Sequence, residues 1–269
     1  MDRPVKLGAH DQASYQVHNT PGMIPPKDIQ RVVYLHQHLN RPVSPRTDEP
    51  ECGWKQDGQW NLKRFLDKTI YNDYGEAPVT RPMPWLYNYR GSGLTDEQVL
   101  ASLQSAFNVW DSVAPGINGS TFLATSERPS SFAGKMSAYG LNDFNEIGFG
   151  PLQSTSQINV LIAEAVIWKN VQTGEIVEAD IMFNSAIPWA HYSLLDHAEG
   201  GEGHWKWMST NKDKMCLFAV AVTEFGHALG LGHVNHPEHS MFMHTGRAEL
   251  KKATLHCGDI EGILALYSV

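Results

Sequence analysis

The residues best suited to chemistry in this 269-residue chain lie in one short stretch of its C-terminal third. Glu224 and His227 fall within an apolar segment, 216–229, whose composition predicts a helix. Gly230 stands where the chain must leave that helix, because glycine tolerates the left-handed conformation of such a turn. His233 can then return towards the same point. Imidazoles beside a carboxylate in this arrangement are typical of a catalytic zinc site, where the carboxylate takes and returns the proton of a bound water.

Beyond its chemistry, this stretch carries a known pattern. It resembles the H-E-x-x-H-x-x-G-x-x-H signature of the metzincin zinc peptidases. From Glu224 to His233 it is similar, letter for letter, to the E-F-G-H-A-L-G-L-G-H of the matrixins. Met241 follows His233 by eight residues, which is the matrixin spacing of the methionine turn beneath the zinc. The chain is therefore identified as a matrixin-like metzincin zinc metalloprotease.

The resemblance extends beyond the signature and covers roughly residues 84–269. It implies a zinc-dependent metalloendopeptidase that hydrolyses peptide bonds of protein substrates. The upstream segments resemble the hairpin and substrate-side edge strand of microbial-type matrixins, and the last segment resembles their closing helix. These segments are 145–147, 173–184 and 259–267.

One position departs from the pattern, because Thr223 stands where the first histidine of the signature is expected. The resemblance assigns Glu224 as general base and acid, His227 and His233 as zinc ligands, and Met241 as the floor of the site. A neutral threonine hydroxyl is a poor zinc ligand on a short side chain, so we expect a weakened zinc site. Two functions stay open: a metalloendopeptidase with an impaired zinc site, and an inactive pseudoprotease that binds peptides or a partner.

The three cysteines each allow two interpretations. Pro50 to Gly53 is similar to the P-R-C-G segment of matrixin zymogens, which implies that Cys52 is a latency switch; the alternative is a surface or packed cysteine. Cys216 and Cys257 precede two predicted helices. They either form a disulfide, which would imply an oxidising compartment, or remain buried thiols that pack like small apolar residues.

The element pattern predicts an α+β fold with an N-terminal extension, and possible propeptide, over 1–80 and a matrixin-like catalytic domain over 81–269. The family resemblance implies a metzincin-like twisted mixed sheet and a small C-terminal subdomain. A peptide would add as an extra strand beside the strand at 176–183, which the resemblance places at the sheet edge. The predicted helices are 28–39, the backing helix 95–113, 216–229 and 258–268. The predicted strands are 85–89, 120–124, 158–168 and 176–183, with a long loop over 184–214.

Composition limits the partners. The formal net charge is −8, which argues against nucleic acid or an anionic membrane as the main partner. No window has the roughly 18 apolar residues of a membrane-spanning helix. We expect a monomer that acts on a protein or peptide. Met1 to His10 has no apolar run after its basic residues, so we expect no intact signal peptide there, whereas the resemblance implies a secreted protein.

Overall fold

A single mixed sheet forms the centre of the molecule. The computed structural model of the chain describes residues 15–16, 28–39, 83–113, 120–124, 141, 144–152, 159–172, 174, 176–193, 202–234 and 236–267. The strands are β1 (Tyr15–Gln16), β2 (Ile29–Leu39), β3 (Met83–Tyr87), β4 (Ser120–Ala124), β5 (Asn145–Gly150), β6 (Asn159–Asn170), β7 (Ile176–Asn184), β8 (Trp189–Ala190) and β9 (Met215–Cys216). The helices are α1 (Asp96–Asp111), α2 (Glu202–Thr210), α3 (Leu217–Ala228) and α4 (Cys257–Tyr267).

Seven strands pair in the order β1-β2-β6-β7-β5-β3-β4. The strands β4, β3, β5 and β7 run parallel to one another, whereas β6 runs antiparallel to both β7 and β2. The sheet is therefore mixed, and together with the helices it confirms the predicted α+β class. No helix in the described ranges is long and apolar enough to span a bilayer.

The backing helix α1 follows a strong local start signal. Thr95 accepts a hydrogen bond from the Gln98 amide, and the Gln98 side chain accepts one from the Thr95 amide, which completes a capping box. The buried stripe of α1 ends in Trp110, whose indole N–H donates to the Val222 carbonyl of α3 at 2.8 Å. Apolar residues of α1, α3 and one face of the sheet form one continuous core, so α3 is held rigidly.

Three sequence predictions about elements were wrong. Residues 29–39 form strand β2 instead of a helix, because Val32 and Val33 are both buried, on opposite faces of a sheet. Strand β7 is internal, since it pairs with β6 on one side and β5 on the other. The predicted loop 184–214 contains helix α2 and the short strand β8. The division of the chain at residue 80 remains a prediction.

Candidate functional site

Helix α3 carries the first imidazole of the site, and all of its residues are buried. The Nδ1 of His227 lies 2.8 Å from the Leu231 carbonyl oxygen. Because a carbonyl only accepts, Nδ1–H is the donor and Nε2 keeps its lone pair. Burial lowers the pKa of His227 to about 3, so the ring is neutral, which is the form that binds metal ions.

The turn after α3 brings a second imidazole to the first. Gly230 has a φ of 103°, a conformation that the predicted glycine turn requires. The Nε2 atoms of His227 and His233 then lie 3.1 Å apart. Burial also lowers the pKa of His233 well below its usual value. Two neutral, buried imidazoles therefore bring their Nε2 atoms within hydrogen-bonding distance of each other.

Thr223 does not complete this pair. Its hydroxyl is fully buried and donates to the Ser240 carbonyl at 2.6 Å. Within the residues that the structure describes, no cluster of three histidine, cysteine or acidic side chains is arranged to hold a metal. The residues around Thr223 therefore do not fit a complete three-nitrogen zinc site.

The Glu224 carboxylate has a partner that the sequence did not reveal. Its Oε1 lies 2.9 Å from Nδ1 of His36 on β2, and neither side chain is exposed to solvent. Burial raises the pKa of Glu224 well above its usual value and lowers that of His36 well below it. Both shifts favour a neutral pair joined by a hydrogen bond.

A second residue of β2 covers the imidazoles. The Tyr34 ring stacks on His227 with centroids 4.1 Å apart and planes within 5°. It meets His233 edge-on at 5.8 Å. Tyr34 precedes His227 by 193 positions and His233 by 199 positions in sequence. The only sequence signal for strand β2 was its run of β-branched and aromatic residues.

Met241 packs against helix α3, and its role as the floor of the site remains a prediction. It is fully buried, and its amide donates to the Asp259 carboxylate at 3.2 Å. A Cβ placed on Gly226 of α3 would stand 2.2 Å from the Met241 sulfur. The helix and the methionine turn therefore touch directly, between Glu224 and His227.

The predicted disulfide between Cys216 and Cys257 is absent. Cys216 is a buried free thiol at the start of α3, and burial raises its pKa to about 12. Cys257 is disulfide-bonded, so its partner is not Cys216. Cys52, the predicted latency switch, lies outside the described residues.

Comparison with known proteins gives the family of the chain. The matrixin family profile matches residues 85–268, and the chain belongs to that family of metallopeptidases. Two similar proteins are the macrophage metalloelastase of Oryctolagus cuniculus, 43% identical over 72 residues, and the neutrophil collagenase of Homo sapiens, 36% identical over 84 residues. These segments cover 25% and 30% of this chain but only 15% and 18% of the relatives' lengths.

Proposed function

We propose that the protein is a zinc-dependent metalloendopeptidase with an impaired zinc site, acting on protein or peptide substrates. The observation that carries the proposal is the pair of neutral imidazoles, His227 and His233, with Nε2 atoms 3.1 Å apart beside the Glu224 carboxylate. Glu224 would serve as general base and acid. With two nitrogen ligands instead of three, zinc binds weakly and hydrolysis is slow.

Zinc titration of the purified chain tests this proposal. We expect weak uptake by the unmodified chain, observed by isothermal calorimetry, that is lost in a His227→Ala variant. Replacing Thr223 with His restores the third imidazole, and we expect zinc affinity to rise by about a hundredfold or more. Thr223→Val is the matched control, because it removes the hydroxyl without adding a ligand.

The zinc titrations distinguish failure of the enzyme proposal from an error in the assigned ligand set. If the unmodified chain takes up no zinc at micromolar concentration, the enzyme proposal fails. If Thr223→His shows neither zinc binding nor proteolysis, position 223 is not the sole defect of the site, and the account of the ligand set is wrong.

The second candidate is an inactive pseudoprotease that binds peptides. Two contacts favour it: the Thr223 hydroxyl is engaged by Ser240, and the Glu224 carboxylate is engaged by His36. Peptide binding that is unchanged by a metal chelator, without any hydrolysis, would favour this candidate over the first. Removal of residues 1–80 remains a proposal that accompanies the first candidate.

A further inference from the structure

A fully buried lysine, Lys252, lies beside the methionine turn. Its ammonium group donates hydrogen bonds to the carbonyl of Ser240, at 3.2 Å, and to the carbonyl of Phe242. The Phe242 ring lies 5.5 Å from Nζ, within the range of a cation–π contact. Two carbonyl oxygens and an aromatic face therefore hold the ammonium at one place in the interior.

One backbone carbonyl joins Lys252 to the position of the missing ligand. The Ser240 carbonyl accepts from the Thr223 hydroxyl at 2.6 Å and from the Lys252 ammonium at 3.2 Å. Thr223 stands where the signature has its first histidine, so a single shared oxygen atom separates the ammonium from that ligand position. A unit positive charge so close to a metal position repels a divalent cation, and the protein interior screens this repulsion far less than water does.

Lys252 keeps its charge at neutral pH. Burial lowers the pKa of its ammonium to about 8, so most of the folded chain carries the proton at pH 7. The charged groups that act on the ammonium are three attracting carboxyls and one repelling lysine: Glu249, Asp259, Glu224 and Lys251.

The charge of Lys252 reaches the imidazoles of the site. Burial has the largest effect on the pKa of each of four imidazoles, and the ammonium lowers each pKa further; they are His36, His227, His233 and His244. A proton on Nε2 of His227 or His233 and a metal ion bound there place positive charge at nearly the same point. The field that opposes the proton therefore also opposes the ion, and it acts on two charges of zinc instead of one.

We propose that Lys252 sets the metal affinity of this site, because its fixed ammonium opposes a divalent cation at His227 and His233. The chain then has two separate barriers to zinc: a missing nitrogen ligand at position 223 and a buried positive charge. The inference rests on the zinc site of the proposed function and assigns its weak binding to charge as well as to ligand number. A histidine restored at position 223 leaves the second barrier in place.

The test is a zinc titration of the full chain carrying Thr223→His, which has a histidine at each ligand position of the signature. Adding Lys252→Met removes the charge, and we expect zinc affinity, measured by isothermal calorimetry at pH 7, to rise by at least about tenfold. Lys252→Gln should also raise the affinity, because it removes the charge but keeps a donor, whereas Lys252→Arg keeps the charge and should not. Lys251→Met is the matched control, because it removes the same charge from the next residue, whose side chain is 35% exposed and pairs with Glu238 at 3.1 Å.

Equal zinc affinity with and without Lys252→Met would overturn the proposal, as would no binding in either chain or an equal gain from Lys252→Arg. Nuclear magnetic resonance of the Lys252 ¹⁵Nζ atom gives a measurement that needs no change at position 252. Because coupling is reciprocal, zinc bound to the Thr223→His chain must lower the titration midpoint of the ammonium by at least about one pH unit. An unchanged midpoint in a chain that binds zinc would contradict the proposal. Absence of zinc uptake by the unmodified chain ends the proposed function but leaves these comparisons intact, since all are made with Thr223→His.

Discussion

Gly226 lies on α3 between Glu224 and His227, and the space beside its Cα is already filled. A Cβ there would stand 2.2 Å from the Met241 sulfur and 2.7 Å from Trp110 Cζ2. Both neighbours are fully buried, so they have little room to move. We expect Gly226→Ala to lower the free energy of unfolding by about 1–3 kcal/mol, measured by chemical denaturation, because overpacking forces neighbours out of place.

A double-mutant cycle isolates the contact behind that loss. Met241→Ala removes the nearer obstacle, so adding it to Gly226→Ala should cost less than the sum of the two single changes. Strictly additive costs would show that Gly226 does not touch the methionine turn in solution. The contact joins the methionine turn to helix α3, which carries Glu224 and His227.

Residue Asp259, in the first turn of helix α4, holds the methionine turn around Met241 in place. The Asp259 carboxylate accepts hydrogen bonds from the amides of Ser240, Met241 and His256, at 2.9, 3.2 and 3.0 Å. A carboxylate in the first turn of a helix is also favoured by the helix dipole. The closing helix thereby holds the backbone of Met241 from a distance of 18 residues in sequence.

Replacing Asp259 with Asn tests that coupling. The amide nitrogen of asparagine cannot accept, so at least one buried N–H loses its partner, at a cost of about 1.5–3 kcal/mol. We expect faster hydrogen exchange at Ser240 and Met241, with little change in β6. Glu261→Gln, an exposed change on the same helix, is the control. Unchanged exchange at the two amides would contradict the role assigned to α4.

Local signals made some elements predictable and left others hidden. The capping residues of α1 and the signature of α3 depend on neighbours within about a turn of helix, so their positions follow from the sequence. The strand β2 depends on β6, more than a hundred residues later, and its tertiary pairing overrode the helical pattern. Glu224, His227 and His233 were predicted together because they are neighbours in sequence. The contact of His36 with Glu224 was not predicted, because the two residues are 188 positions apart.

For the molecule as a whole, two kinds of buried ionisable group change the free energy of unfolding with pH in opposite directions. Burial lowers the pKa of four imidazoles: His36, His227, His233 and His244. Burial raises the pKa of three carboxyls: Glu164, Asp180 and Glu224. The imidazoles make stability rise with pH up to their unfolded pKa near 6.5, and the carboxyls make it fall with pH above their unfolded values. Above pH 6.5 the imidazole contribution is complete, whereas the carboxyl contribution continues up to the pKa values of the folded state.

A substitution at Glu164 measures how one buried carboxyl contributes to the pH dependence of the free energy of unfolding. Burial raises its pKa from 4.5 to about 7, despite the attraction of Arg31. Between these values the folded chain binds more protons than the unfolded chain, so the free energy of unfolding falls as pH rises. Glu164→Gln cannot ionise, so its stability relative to the unmodified chain should increase between pH 4.5 and pH 8 by up to about 3 kcal/mol. Urea denaturation at several pH values measures the difference, with the exposed Glu202→Gln as control. A difference that stays constant with pH would mean that Glu164 has the same pKa in the folded and unfolded chains, so that the attraction of Arg31 offsets burial.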